Sequence, residues 1–433
     1  MQVWAGWFDD FFASLAGVFG RVEPRRMAMA YVKALVAPVE RKNGWQIAEH
    51  VGHSSPDRVQ WFLARSTWCA DQLRDALRSF VVQFLARPDG VLVLDETAFL
   101  KKGRMSAEVA PQYAGITGQI ENCQVAVFCA YATDTGRALI DRELYLPAAW
   151  CADAGRCRTQ HIPRARAKAV VTKPELGWRM VERCRRAKVP FGWVASDSAY
   201  GQDRKLRAAL ERRRIPYVMA VPVDETVSTH GTGPLRVDKL AAGIPLIFER
   251  RSCGAGAKGL RSYDWALADV TWPGGAEGGP RRGHVHLLLV RRSITDPSQV
   301  AYFAVHAKAG TPIGEMVVAA GQRWMVEETF QAGKGLTGLD EHQVRRWTSW
   351  HRWVTLAMLA HAFLAVTAAT ERHDHPAPDG LIPLTGNEIQ HLFAALISPV
   401  HDLPHRLRWS HWRRRHQARA RQCHYRRQAA LQP

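Results

Sequence analysis

The spacing of apolar side chains divides the chain into a helical first part and a region of short strands. Within residues 1–87, apolar residues recur at helical spacing in four segments, 28–39, 44–51, 57–66 and 70–86. The second and third segments flank a Gly-His-Ser-Ser-Pro break. Two short helices around such a break resemble a helix-turn-helix, which could place Arg58 and Arg65 against DNA. The alternative is a small helical bundle that uses the same turn without contacting DNA.

The pattern changes at Arg87-Pro88-Asp89-Gly90, after which short β-branched runs bounded by turn residues predict buried strands. The predicted order is strands at 91–94, 124–131 and 138–146, a helix at 173–187, a strand at 190–195 and a helix at 203–214. The first three strands are expected to form an antiparallel meander. Three strands, a helix, a strand and a helix follow one another as in an RNase H-like α/β fold.

Beyond this core the alternation changes twice more. Period-two alternation and a Gly/Pro-rich loop at 273–280 predict a β-rich insertion, and helical periodicity returns at residue 313. A Pro/Asp/Gly-rich stretch at 373–383 then interrupts the chain. The predicted domains are an N-terminal helical DNA-binding domain (1–87), a first core part (88–216), the β-rich insertion (217–310), a second core part (311–372), and a linker with a basic C-terminal helical region (373–433).

Composition and charge narrow the functional classes. Apolar residues make up 47% of the 433 positions, which is typical of globular proteins and excludes a disordered or collagen-like chain. The eight cysteines are widely spread and are expected to be reduced thiols in a cytosolic protein. No stretch predicts a membrane span. A net charge of +19 favours an acidic partner, most often nucleic acid.

Basic side chains cluster in the tail and behind the first predicted strand. Nine arginines with interleaved aromatic residues lie between positions 406 and 427, a composition that suits phosphate contact and base stacking. A run of charge is also commonly only a solvated face. The candidate DNA-binding residues in these two places are Arg413, Arg414, Arg415, Lys101 and Lys102.

Three short motifs carry the candidate chemistry. Asp95 and Asp197 are each predicted to end a buried strand, in VLVLDETAFLKKG and WVASDSAYG. The long helix near residue 320 contains Arg323, Glu327 and Lys334 in the spacing R-x3-E-x6-K. At 100° per residue, Glu327 lies about 40° from Arg323 and Lys334 about 20° from Glu327, so all three share one face. Three carboxylates from different elements could hold two divalent ions, with basic groups on the flanking phosphates.

Each of these residues taken alone has a more ordinary interpretation. An aspartate at a strand end is usually a turn residue or a helix cap, and a glutamate flanked by basic residues on a helix is usually part of surface ion pairs. The conjunction of three acids on suitable elements, in a chain of charge +19, is what favours a catalytic site.

Together these motifs resemble the DDE transposases of bacterial insertion sequences, in the branch with a β-strand insertion between the second aspartate and the glutamate. The resemblance implies Asp95, Asp197 and Glu327 as catalytic metal ligands for two Mg²⁺ ions, which Mn²⁺ could replace, with Arg323 and Lys334 on the DNA. It implies cut-and-paste transposition on double-stranded DNA by a homodimer, in the bacterial cytoplasm at the nucleoid and without a membrane. The family's tyrosine three residues before the arginine is replaced by Ala320.

Some members of this family hold a flipped base with an aromatic residue of the insertion, which makes Trp265 and Trp272 candidates here; the alternative is that both are packing residues. Glu328 adjoins Glu327, and the register with Arg323 and Lys334 favours Glu327 as the ligand. Two other functions remain open: a non-catalytic or domesticated DNA-binding protein, and an RNase H-like nuclease without strand transfer.

Overall fold

The computed structural model describes residues 2–229, 232–256, 259–273 and 282–430, so most of the loop predicted at 273–280 lies outside the described residues. The chain forms two compact units. One combines residues 1–73 with 333–433, and the other consists of residues 74–332. The predicted N-terminal domain and basic C-terminal region therefore belong largely to one unit, although some 260 residues of the chain separate its two parts.

Among the described residues, every strand lies in the second unit. Their bounds in chain order are β1 (Val91–Leu100), β2 (Ala110–Ala114), β3 (Gln119–Ala132), β4 (Arg137–Leu144), β5 (Trp193–Ser196), β6 (Tyr217–Val221), β7 (Thr226–Thr229), β8 (Thr232–Arg236), β9 (Glu249–Gly256), β10 (Gly259–Asp269), β11 (His284–Arg292) and β12 (Val300–Lys308).

The helices are distributed over both units. They are α1 (Gln2–Ser14), α2 (Ala16–Phe19), α3 (Val22–Val36), α4 (Gly44–His50), α5 (Asp57–Ala64), α6 (Ala70–Leu85), α7 (Ala148–Cys151), α8 (Ala154–Thr159), α9 (Arg164–Ala167), α10 (Lys173–Arg186), α11 (Ser198–Gly201), α12 (Arg204–Arg212), α13 (Val237–Gly243), α14 (Ile313–Thr337), α15 (Trp347–Asp374), α16 (Gly386–Ile397) and α17 (Leu403–Ala429).

The main sheet confirms the predicted α/β fold class. Its strand order is β2-β3-β1-β5-β6-β12-β11-β10-β9, and β4 pairs with β3. The pairs β1–β3 and β3–β4 are antiparallel, whereas β1–β5 and β5–β6 are parallel. The order β4-β3-β1-β5-β6, with the first three strands as a meander, is that of an RNase H-like sheet. The continuous apolar run Val91–Leu94 is buried, as expected for a central strand covered on both faces.

The predicted insertion differs from the structure in one respect. Strand β6, which the sequence pattern groups with the insertion, pairs in parallel with β5 and completes the core sheet. Strands β12, β11, β10 and β9 then continue the same sheet by antiparallel pairing, beginning at the β6–β12 pair. The alternation of apolar and polar side chains does not show which strand lies beside which. The sequence therefore could not show that the core sheet ends after β6 and not before it.

The first unit is built around α15. This helix is long and apolar enough to cross a membrane, but 89% of its apolar window is buried inside the protein, against neighbours that include α3, α5 and α16. Arg352 lies within it, and its guanidinium donates to the carbonyl oxygens of Leu63, Ser66 and Trp68 at 3.0, 2.5 and 2.7 Å. These bonds satisfy the donors of the buried guanidinium and connect α15 to the N-terminal helices.

The C-terminal helix α17 is anchored to the N-terminal helices of the same unit. Trp409 is fully buried, and its indole N–H donates to the carbonyl oxygen of His53 at 2.8 Å. Trp412 packs edge-to-face on Trp45, with ring centroids 4.7 Å apart. These tryptophans therefore form the contact of α17 with the N-terminal helices, whereas most other side chains of α17 are exposed to solvent.

Candidate active site

The backbone register places the two aspartates side by side. Strand β1 does not end at Asp95, as the sequence pattern predicts, but continues to Leu100 along β3. Its parallel partner β5 is shorter, and the last matched pair is Leu94 with Ser196. Asp95 and Asp197 are the next residues on adjacent strands, which are about 4.8 Å apart in a sheet. The site therefore lies where β5 stops and β1 continues.

The backbone around Asp197 fixes its carboxylate. Asp197 caps α11, and its Oδ1 accepts a hydrogen bond from the backbone N–H of Ala199 at 3.0 Å. A Cβ at Gly201 would lie 1.9 Å from the carbonyl oxygen of Ala220, so this short helix can approach β6 only because residue 201 is glycine. The aspartate is thereby held by both its strand and its helix.

Electrostatics identify the two carboxyls as an interacting pair. Burial, followed by the charge of Asp197, raises the pKa of Asp95 from 3.8 to about 7. Burial, followed by the charge of Glu96, also raises the pKa of Asp197. The positive charge of Arg323 acts in the opposite direction on both. Two carboxyls that resist ionisation, beside one arginine, are typical of a functional site.

A third carboxylate, which sequence reasoning missed, adjoins the pair. Glu96 accepts hydrogen bonds from the Tyr200 hydroxyl at 2.6 Å and from the Lys173 ammonium at 2.6 Å. Its position directly after Asp95 in the sequence was the only local signal. Its partners lie 77 and 104 residues away, so they follow from the fold and not from spacing.

Helix α14 contributes Arg323 and Glu327. As the spacing predicts, the two lie one turn apart on the same face, and their side chains approach to 3.5 Å. Arg323 is 22% exposed and Glu327 is 63% exposed. Arg323 therefore acts electrostatically on both aspartates and also contacts the glutamate. Glu327 lines a cavity of roughly 340 Å³ together with Arg261, Tyr263 and Trp324.

The neighbouring glutamate has a different environment. Glu328 accepts hydrogen bonds from Arg137 at 2.5 Å and from Arg261 at 2.6 Å. Both of its oxygens are thus engaged by arginines. Glu327 has an arginine contact as well, with Arg323 at 3.5 Å, so the preference for Glu327 as the acid of the site rests on its register with Arg323 and Lys334.

The basic residues predicted near the site are placed differently. Lys334 lies in the last turn of α14 within the other compact unit, and burial lowers its pKa. Lys101 and Lys102 follow the end of β1, which lies roughly 16 Å beyond Asp95 at about 3.3 Å per residue. The extension of β1 thus carries both lysines away from the acidic pair.

Both tryptophans predicted as base-holding candidates are packing residues in this structure. Trp265 is fully buried against Tyr263 and Phe303. Trp272 is 2% exposed, and its indole N–H donates to the carbonyl oxygen of Leu287 at 3.2 Å. Neither ring presents a free face on which a base could stack. The alternative interpretation of both residues, as packing residues, is the one that fits.

Predicted DNA-binding residues of the first unit fall into two groups. Arg58, Arg65, Arg414 and Arg415 are exposed. Arg413 instead forms an ion pair with Glu49 at 2.5 Å and so helps to anchor α17 to α4.

The donor atoms at the acidic pair suit a divalent cation. Mg²⁺ and Mn²⁺ prefer hard oxygen ligands, and a cation would offset the burial and the neighbouring negative charge that raise the pKa values of Asp95 and Asp197. Within the part of the chain that the structure describes, no group of three His, Cys, Asp or Glu side chains is arranged to hold a metal ion. The third predicted ligand, Glu327, contacts Arg323 instead.

The sheet order and the paired carboxylates at β1 and β5 define an RNase H-like protein with an acidic centre on its central strands. A family model described as DDE superfamily endonuclease matches residues 14–273. The chain belongs to this superfamily of endonucleases. The matched residues include Asp95 and Asp197 and end before α14.

The chain is also similar to an individual transposase over part of its length. The chain is 28% identical over 188 residues to the probable transposase for insertion sequence element IS701 of Microchaete diplosiphon. That match spans 43% of this chain and 46% of the relative's length.

Two solved structures are similar at a low level. The piggyBac transposase synaptic complex with hairpin DNA aligns over 89% of this chain and 76% of its own, at 11% identity and a TM-score of 0.41. The NurA nuclease of Sulfolobus solfataricus aligns over 58% of this chain and 81% of its own, at 10% identity and a TM-score of 0.25. It is the strand order of this chain that defines its fold.

Proposed function

We propose that this protein is a DNA transposase that cleaves at the terminal inverted repeats of its own element and joins the ends to target DNA. The observation that carries the proposal is the placement of Asp95 and Asp197 at matched positions on β1 and β5, with Arg323 of α14 acting on both. Membership of the DDE endonuclease superfamily supports the same reaction class.

The chain's own residues would divide the work. Asp95, Asp197 and Glu327 would hold two Mg²⁺ or Mn²⁺ ions, with Glu327 turning from Arg323 to the aspartates. Arg323, released from Glu327, would bind a phosphate beside the scissile bond. Lys334 would contact the same DNA strand further along the helix. The chemistry that the ions supply is activation of a water or 3′-hydroxyl and stabilisation of the leaving oxygen.

DNA binding by the first unit would use its exposed arginines. Arg58 and Arg65 lie on or directly after α5, and Arg414 and Arg415 lie on α17, whose anchor on α4 belongs to the same unit. Because the rings of Trp409 and Trp412 are used in packing, we assign the exposed arginines of α17 to phosphate contact. Lys101 and Lys102 would bind DNA at a distance from the acids.

The assembly would be a homodimer on two transposon ends, because both ends must be cut together. The protein would act on double-stranded DNA at the bacterial nucleoid in the cytoplasm.

The test is incubation of the purified protein with Mn²⁺ or Mg²⁺ and a labelled fragment that carries the element's ends, beside the Asp197→Ala variant. The expected result is cleavage at the ends by the first protein only. Strand joining to a second DNA would exclude a simple nuclease. Binding without cleavage by either protein would instead favour a non-catalytic DNA-binding protein.

A further inference from the structure

Glu328 joins three parts of the second unit. Its carboxylate pairs with Arg137, the first residue of β4 in the meander, and with Arg261 on β10 in the added strands. The glutamate itself lies on α14, one residue after Glu327. A single side chain thus connects the core sheet, the added strands and the helix of the candidate acid.

The added strands contact the same stretch of α14 at two other points. A Cβ at Gly321 would lie 2.0 Å from the carbonyl oxygen of Cys253 on β9, so the helix backbone rests closely on that strand. Trp324 stacks on Tyr263 of β10 with an interplanar angle of 25°. The guanidinium of Arg291 lies 4.6 Å from the Tyr263 ring centroid and 4.5 Å from that of Trp324.

These contacts are centred on one face of the helix, and Arg323 and Glu327 lie on the adjoining face, where Glu327 shares a cavity with Arg261, Tyr263 and Trp324. Residues 321, 324 and 328 fall within about 60° of one another around the helix axis. Arg323 and Glu327 lie on a face centred roughly 110° away. Contacts on the face of residues 321, 324 and 328 restrict rotation of the helix, and they therefore fix the direction in which Arg323 and Glu327 project.

We propose that Glu328, held by Arg137 and Arg261, is a positioning residue that fixes the direction in which α14 presents Arg323 and Glu327. This inference rests on the proposed function for its catalytic consequence. The strands added to the RNase H-like sheet would thereby affect the reaction, because Arg261 on β10 holds Glu328 and so the orientation of α14. Because its two oxygens accept from Arg137 and Arg261, the role proposed for Glu328 is to hold the helix and not to bind DNA or metal.

The experiment compares Glu328→Gln with Glu315→Gln in the full-length protein. Glu315 is exposed in the first turn of the same helix, so the control makes the same chemical change away from the arginines. The first measurement is hydrogen–deuterium exchange of residues 320–330, which requires no activity. The second is the single-turnover cleavage rate as a function of DNA and Mn²⁺ concentration.

Glu328→Gln is expected to speed exchange in residues 320–330 and to lower the maximal cleavage rate by roughly 10- to 100-fold, as for other residues that orient metal ligands. The DNA concentration at half-saturation should stay unchanged, and more Mn²⁺ should be needed. Glu328→Asp should restore part of the rate. Arg261→Gln should have the same kind of effect, and should add little to Glu328→Gln, because both break one network.

Unchanged exchange in Glu328→Gln and Arg261→Gln would overturn the proposal, as would a loss of DNA affinity at an unchanged maximal rate. Arg261→Gln also serves if Glu328→Gln does not fold. If the unaltered protein cleaves nothing, the proposed function fails, and the exchange measurement still decides whether Glu328 holds the helix.

Discussion

The strand-borne and helix-borne acids of the candidate site are held in different ways. Asp95 and Asp197 are placed by the register of β1 and β5, and their raised pKa values report a shared, partly desolvated environment. Glu327 is 63% exposed, and its position follows only from how α14 packs. The sheet therefore carries a preformed half of the site, whereas the other half depends on contacts that the helix makes through neighbouring residues.

The largest expected effect concerns the preformed half. Asp197→Asn should reduce end cleavage by at least about 10³-fold, the scale of losing a preorganised group that stabilises charge, while DNA binding is retained. Asp224→Asn, at an exposed position of the same unit, is the matched control and should cleave normally. Cleavage and gel-shift assays on the same fragment measure both properties. Normal cleavage by Asp197→Asn would remove this aspartate from the site.

The second prediction concerns the free energy of unfolding. The folded pKa of Asp95, about 7, lies above its ordinary 3.8. The neutral carboxyl is therefore preferred in the folded protein, and the stability it confers is complete below about pH 4 and is lost as the pH rises to about 7. Such a rise in pKa corresponds to at most about 4 kcal/mol.

Asp95→Asn should accordingly unfold at a higher temperature than the unaltered protein at about pH 8 with a chelator, and the gain should shrink towards about pH 4. Glu327→Gln should change the free energy of unfolding by less than about 0.5 kcal/mol, as is usual for exposed positions. Thermal unfolding at several pH values measures both variants. Equal effects at the two positions would contradict the contrast between a buried strand site and an exposed helix site.

The third prediction concerns the packing of α14, which can be weakened without substituting any of the acidic residues. Gly321→Ala would place a Cβ against the carbonyl oxygen of Cys253 and should destabilise the protein by about 1–3 kcal/mol. Gly335→Ala, on the same helix, has open space around its Cβ and should stabilise it by about 0.5–1 kcal/mol. Urea unfolding compares the two. An unchanged free energy of unfolding for Gly321→Ala would mean that the close contact of the helix backbone with β9 does not contribute to stability.

The smallest expected effect concerns DNA binding by the arginines of α17, which can be measured separately from cleavage. Arg414→Gln with Arg415→Gln should reduce the slope of log affinity on log salt by about 0.9 for each phosphate that is no longer neutralised. Substituting the exposed Arg204 and Arg212 of α12 removes the same charge from the other unit and should leave the slope unaltered. Binding titrations between about 50 and 200 mM salt give the slope. An unchanged slope in the α17 variant would exclude these arginines from the DNA interface.

Much of the fold was predictable because its signals are local. The apolar run before Asp95, the strand before Asp197 and the helical spacing around Glu327 each lie within a few residues. The partners of Glu96 and Glu328 were not predictable, because they lie 67 to 191 residues away and are brought together only by the sheet. For Trp265 the sequence left packing open as the alternative, and the contacts with Tyr263 and Phe303 that decide it follow from the fold.

The bonds from Arg352 to Leu63, Ser66 and Trp68 have a consequence for synthesis on the ribosome. The helices before residue 73 lack their core helix until α15 has emerged, more than 270 residues later. At about 5–20 residues per second, roughly 15–50 s pass with their apolar faces uncovered. Folding of the first unit is therefore delayed until after the sheet of the second has been synthesised, and chaperones that shield nascent chains should associate with this N-terminal segment during that interval.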